Sequence, residues 1–528
     1  MSLKQSLRSA YITAERHLPR RVPRVGSADT SAPKHPDVPI AVIGSQLTRA
    51  SLTGEFPLVE ITSPHLAAVI VEDGYTENLP AGVPVFHLTA DTHFSPFAPA
   101  RSHQPGEQAD PYTLFPFVNP TLAYPSSAFR RRHHSVALLN VDNDEVIAAG
   151  ERLAQEQRYH VARYRQRPNT LHDSVLDVAT PKLDTLLGTV ASTEVAVADP
   201  LWTPTCISLG TFALEVARTP QTDHTLSPDP QAGADNPSEI TASEVYARVR
   251  MFSESPQFRE RLLAQQQRRL WHSATATDRA NHIIATLDIP WRPPTNPTVT
   301  VICSTNRPDQ LPHLLAQFSH QTYPYREMIV ATHGFAVSDD EQHTLLTTAD
   351  NPEAQAPIRF MEMPAEWTLG QCLNMAVGNA CGEITAKFDD DDYYLPNYLT
   401  DQVKALQITG ADVVGKATCY YFVASINAIA RRRPGEEHHY GSYVKGSTLV
   451  ARTELFHQFP FPAQSVGEDT QFLKDVQRAG KRVYSTDRFN YLAMRGDQQA
   501  HTWRIDDAQL LTNATVETFG LNLDHVEA

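Results

Sequence analysis

The sequence predicts a two-part α/β protein whose C-terminal half is built on a mixed, mostly parallel sheet. Three observations carry that prediction. Past a proline-rich joint at Ile289–Pro297, apolar strand-like runs alternate with stripes at helical spacing. Ahead of the joint, shorter apolar runs of the same kind recur. One C-terminal strand then ends in four consecutive aspartates, Asp389 to Asp392. Parallel sheets gather ligands beyond the carboxyl ends of their strands, so the acid run falls where a site is expected.

Length and composition frame the elements. The chain has 528 residues, enough for two or three cores. A formal net charge of −15 disfavours a nucleic-acid binder, which needs clustered Lys and Arg to neutralise phosphates. Five scattered cysteines form no CxxC pair, which fits a reducing compartment, and a cytoplasmic location follows as the expectation. No apolar run reaches the roughly 18–20 residues that span a bilayer, so any membrane association would be peripheral. Residues 1–35 read as a solvated tail: Glu15 is the sole acid of the Arg-rich first 24 positions.

In the first region, residues 36–290, Pro39–Gly44, Ala67–Gly74 and Ser135–Asp142 read as strands and Asp144–Gln157 as a helix. Thr219–Glu239 is a polar, Pro- and Gly-rich loop. A long helical stretch from Ser243 to about Arg269 closes the region. Residues 291–297 are the linker, because Pro293, Pro294 and Pro297 prevent regular helix. In the second region, 298–528, Val299–Ser304 and Glu327–Ala331 are strands, with Leu311, Leu314, Leu315 and Phe318 striping the helix between. Leu369, Cys372, Leu373 and Ala376 line the next helix, with Gly382 placed to end it. Glu383–Phe388 is the strand that delivers the aspartates, and Leu399, Val403 and Leu406 line the helix that follows.

Like charges packed so closely repel, so four aspartates in a row call for a compensating cation or helix end. Asp389 and Asp391, at i and i+2, suit one hard divalent ion such as Mg²⁺ or Mn²⁺ shared with substrate phosphates. The alternative is that the run caps the helix near Pro396, for which a single Asp would suffice. Glu468 and Asp469 open a helix striped by Phe472, Leu473 and Val476 and ended by Gly480. They serve either as dipole compensation or as a general base facing a hydroxyl. His501 follows both clusters in order, which makes it a candidate third metal ligand.

These motifs, in this order, resemble the nucleotide-diphospho-sugar transferases of the GT-A fold, family 2 type, over about Thr298–Trp503. The resemblance begins with VTVICSTNRPDQLPHLLAQFSHQTYPYREMIV, continues through LGQCLNMAVGNACGEITAKFDDDDYYLP and ends with GEDTQFLKDVQRAG. It implies that Asp389 and Asp390 lie along the nucleotide sugar, and that Asp391, with Asp389, binds Mn²⁺ or Mg²⁺. It further implies Asp469 as catalytic base supported by Glu468. Thr305, Asn306 and Arg307 would line the nucleotide pocket, and Gly446 and Ser447 the sugar and acceptor site. One departure concerns the base: where the family often carries an acid, as in VDDGS, the chain reads Ala331-Thr332-His333.

The first region is similar to GT-B glycosyltransferases of the CgeB-like type in LGTFALEVARTP and in the helices after Ser243. That likeness implies Glu215 as a ribose ligand, in a domain that reads as degenerate because Arg218-Thr219 replaces the usual glycine. The implied activity is metal-dependent, inverting transfer of a sugar from a nucleotide-diphosphate donor to the hydroxyl of a carbohydrate or glycoconjugate acceptor, as in polysaccharide synthesis. The alternative is a non-catalytic nucleotide- or sugar-binding scaffold.

Overall fold

The computed structural model describes residues 241–495 nearly throughout, apart from 274, 291–295 and 349–355, together with 507–528. It also describes most of 134–164 and 193–215, residue 190 and shorter pieces between 34 and 114. The tail up to residue 33, the loop at Thr219–Glu239, most of the linker, and His501 with Trp503 lie outside the described residues.

The chain divides into two compact units. The first takes most of the sequence up to Val249, plus Thr275–Leu287. It contains two four-stranded sheets. One runs Ile40–Ile43, Ala68–Glu72, Val85–Leu88, Thr113–Leu114, and the other His160–Tyr164, Ser135–Leu139, Val195–Ala198, Phe212–Glu215. Every strand pair in both sheets is parallel. The strands form from short runs rich in Val, Ile, Leu and Ala, and in Ser135–Leu139 and Val195–Ala198 every residue is buried, as expected of strands covered on both faces.

The second unit holds Arg250–Ala274 and Asp288–Ala528 among the described residues. Its eight-stranded sheet has the order Ile358–Met363, Arg326–His333, Val299–Thr305, Ile384–Lys387, Val450–Arg452, Val413–Gly415, Val483–Ser485, His439–Gly441. The first four strands are parallel, and antiparallel pairing begins at Val450–Arg452. The helix Leu311–Ser319 buries Leu311, Leu314, Leu315 and Phe318, the expected stripe. Thr368 and Gln371 form a capping box that starts the helix Leu369–Gly378. That helix ends at Asn379, not at Gly382. Gly382 serves strand packing instead: a Cβ there would lie 2.6 Å from the Thr300 amide nitrogen and 2.8 Å from the Thr298 carbonyl oxygen.

A second sheet was not foreseen. It runs Tyr393–Tyr394, Tyr491–Arg495, Cys419–Val423, Ala428–Arg432, Ala514–Phe519, and is largely antiparallel. The stretch read as one helix from Ser243 to Arg269 is two, Ala242–Glu254 and Pro256–Ser273, divided ahead of Pro256. The second of these precedes the linker yet packs with the C-terminal unit. Arg268 makes two 2.8 Å hydrogen bonds to Asp401, and Glu260 pairs with buried Arg488 at 2.8 Å. Buried charges need partners, and these fix the helix to the unit that follows it.

Candidate active site

Two neighbouring parallel strands deliver the first half of the site. Val299–Thr305 and Ile384–Lys387 run side by side with Ile302 opposite Lys387, and the Phe388 amide donates to the Ile302 carbonyl at 2.9 Å. Their carboxyl ends therefore leave the sheet together. Thr305 donates its hydroxyl to Asp390, and Arg307 Nε donates to the same carboxylate at 3.0 Å. The Arg307 guanidinium also lies 3.1 Å from Asp391. Burial opposes the Arg307 charge, but Asp390 and then Asp391 hold its pKa above the ordinary arginine value. Asn306 is exposed beside them.

The four aspartates alternate. Asp390 and Asp392 are buried at 6% and 4% exposure, whereas the side chains of Asp389 and Asp391 are 37% and 19% exposed. Asp392 accepts from the Tyr491 hydroxyl and, at 3.0 Å, from the Met494 amide, with Lys445 Nζ 3.8 Å away. Burial pushes its carboxyl up to about 6, with Lys445 opposing the rise. Below the run, Phe388 and Tyr394 stack with ring centroids 3.7 Å apart, and Tyr398 meets both edge-on. The helix Tyr398–Thr409 has Asn397 at its N-cap with no side-chain cap bond, so the aspartates do not cap it. The capping alternative fails.

Glu468 and Asp469 supply the other half. They open the helix Glu468–Arg478, which follows Gly467 in a left-handed conformation, φ 78°. A Cβ built on Gly446 would lie 1.6 Å from Asp469 Oδ2, so the carboxylate rests directly on that glycine. Any side chain at position 446 would evict it. Ser447 is tied in from the other side: its carbonyl accepts from the Tyr394 hydroxyl at 2.8 Å, and that hydroxyl accepts from the Asp389 amide at 2.8 Å. The two acidic clusters thus converge through the Gly446–Ser447 turn.

Lys387 stands between them. Its side chain is 5% exposed, and Nζ donates to Asp389 Oδ1 at 2.6 Å. Burial works against its charge, yet Asp389, then Glu468 and Asp469, raise its pKa above the usual lysine value. Burial likewise lifts the Glu468 carboxyl, with Lys387 pulling it back.

Neither Lys387 nor Lys445 nor the tyrosine pair Tyr394 and Tyr491 was read from the sequence. The signal for Lys387 was there: a lysine inside an otherwise buried apolar strand, directly ahead of the acids. Glu215 ends the strand Phe212–Glu215, and its side chain is outside the described residues.

Among the described residues, no three His, Cys, Asp or Glu side chains gather in a metal-holding group. Asp389 and Asp391 nevertheless offer the hard oxygen donors that suit Mg²⁺ or Mn²⁺, which are commonly held by one or two carboxylates plus substrate phosphates. The donor set fits such an ion.

Residues 299–461 match the family described as glycosyl transferase family 2. The matched segment contains the aspartate run, Lys387 and the Gly446–Ser447 turn, and Asp469 lies just beyond it. No curated protein matches the chain. Among solved structures, the mannosyltransferase PcManGT of Pyrobaculum calidifontis, in complex with GDP-Man and Mn²⁺, is 20% identical with a TM-score of 0.32. The match covers 49% of this chain and 72% of that one. S. aureus TarS 1–349, in complex with UDP-GlcNAc, is 20% identical with a TM-score of 0.31, over 39% of this chain and 61% of that one. These likenesses are remote, and the family assignment rests on the match over 299–461. Among the described residues, no helix is long and apolar enough to cross a membrane.

Proposed function

We propose that the glycosyltransferase domain catalyses inverting, divalent-metal-dependent transfer of a sugar from a nucleotide-diphosphate donor to an acceptor hydroxyl. The observation that carries this reading is the seat of Asp469 on Gly446, next to the turn that Tyr394 ties to Asp389. A general base has to face the hydroxyl while the donor is held across from it, and this convergence supplies both halves.

In this reading Thr305, Asn306 and Arg307 border the nucleotide, with Asp389 and Asp390 along the sugar-nucleotide. Asp391 and Asp389 would hold the Mn²⁺ or Mg²⁺, with His501 as a third ligand. When bound, such an ion offsets the charge that develops on a departing diphosphate. Asp469 takes the proton of the attacking hydroxyl at its carboxylate. Lys387 keeps the neighbouring acids from repelling one another, and buried Glu468 backs Asp469. The missing side chain at position 446 makes room for the Asp469 carboxylate itself.

The parallel sheets of the first unit support a Rossmann-type, GT-B-like region, with Glu215 at a strand end as its donor-ribose residue. We assign it acceptor positioning or assembly. The protein acts in the cytoplasm, on carbohydrate or glycoconjugate acceptors. Titration with UDP-, GDP- and dTDP-sugars in the presence of Mn²⁺, followed by product analysis against a broad acceptor panel, tests the reading. Binding with neither transfer nor hydrolysis would establish the scaffold alternative instead.

A further inference from the structure

A cation–aromatic pair, Arg433 and Tyr443, lies on the segments leading to the Gly446 turn and has no part in the roles assigned above. The segment leading into Gly446 carries Tyr443 and Lys445 two residues apart. Lys445 Nζ lies 5.7 Å from the centroid of the Tyr421 ring, and the Arg433 guanidinium lies 4.0 Å over the Tyr443 ring. Tyr443 is three residues from the glycine on which Asp469 rests. Three residues of chain span at most about 10 Å, which bounds the backbone separation of Tyr443 from that glycine.

Arg433 is held there by its backbone. Its φ of 53° is in the left-handed region, uncommon for a residue with a side chain. Its amide donates to the Asn513 carbonyl at 2.9 Å, and its carbonyl accepts from Thr418 Oγ1 at 2.6 Å. Strain of this sort persists where the surroundings impose it and is concentrated at functional sites.

The acids nearby are engaged elsewhere. Glu436 faces His439 at 3.7 Å, Glu437 pairs with Arg488 at 3.1 Å, and Glu517 takes Arg431 at 2.8 Å. Among the described residues, no carboxylate comes within ion-pair distance of Arg433. In a chain of net charge −15, a half-buried guanidinium backed by an aromatic face and left without an acid marks a place for an anion.

We propose that Arg433, stacked on Tyr443, is an acceptor subsite that recognises an anionic group, phosphate or carboxylate, on the sugar or polyol receiving the transferred residue. The inference rests on the glycosyltransferase reading only in calling the bound molecule an acceptor. Arg433 makes the contact with the anion, and Tyr443 fixes the plane of the guanidinium.

Ligand-observed NMR on the full chain tests it, with glucose 6-phosphate, glucuronate and glucose as probes, in the absence and presence of UDP. One of the two anions is expected to bind at least tenfold more tightly than glucose, about 1.4 kcal/mol, and which one does so identifies the group. UDP should not displace it. Arg433→Gln should erase the preference, while Arg433→Lys keeps part of it, since the charge remains and the planar fork is lost. Thermal melts of both variants should match the wild type. Three results would each overturn the proposal: equal or undetectable binding of the anions, displacement by UDP, or an unchanged preference in Arg433→Gln. If the preference is found but no nucleotide sugar supports transfer, the subsite stands and the transferase reading falls.

Discussion

The aspartate run at 389–392 and the acidic turn at 468–469 look alike in sequence and differ in the folded protein. In the run, alternate members point opposite ways. Asp390 and Asp392 turn inward to Thr305, Arg307 and Tyr491, while Asp389 and Asp391 stay accessible. In the turn, Glu468 is buried at 5% exposure and Asp469 lies on Gly446. Half of each cluster is buried and half keeps solvent exposure. Counting carboxylates therefore overstates the chemistry, because a buried acid with dedicated partners is a structural member that happens to be charged.

That division can be broken by substitution. Asp469→Asn should have the largest effect, lowering transfer by about 10²–10⁴-fold while nucleotide-sugar affinity, measured by calorimetry, is kept. A wild-type rate would remove Asp469 from the chemistry. Gly446→Ala tests the seat rather than the acid. The added methyl collides with Oδ2 and displaces it, so kcat should drop by roughly 10²-fold with the melting temperature little changed. Asp392→Ala belongs to the inward half. It leaves the Met494 amide without its acceptor and the Tyr491 hydroxyl with Ser447 Oγ alone, at a cost of about 1–3 kcal/mol read by chemical denaturation. Thr305→Val removes one hydrogen bond to Asp390 and should cost about 0.5–1.5 kcal/mol, the smallest change of the set. If Asp392→Ala instead left stability intact and abolished transfer, the inward–outward division would be wrong.

Much of the fold was readable because its signals are local. The stripe Leu311, Leu314, Leu315, Phe318 lies on one helix, and Val299–Thr305 is a strand in which six of seven residues are buried. The antiparallel second sheet was less readable. Its strands Cys419–Val423 and Ala428–Arg432 are short, and they pair with partners as distant as Tyr491–Arg495 and Ala514–Phe519. Nothing local records such pairings. The helix Pro256–Ser273 misled for a related reason: sequence order placed it before the joint, while Arg268 and Glu260 found their partners at Asp401 and Arg488.

By itself the sequence determined which residues carry charge, that Asp389 and Asp391 stand two apart on one side of their strand end, and that the segment from Val299 alternates strand and helix in a pattern similar to glycosyl transferase family 2. Those are properties of neighbours along a chain, fixed by side-chain period and composition. Only the tertiary structure decided that buried Lys387 pairs with Asp389 and is kept charged by Glu468 and Asp469, that Asp469 rests on Gly446, and that Arg433 lies over Tyr443. Each of those joins residues from separate elements. Their energies depend on distance and on exclusion of water, and neither exists until the sheet brings its strand ends together.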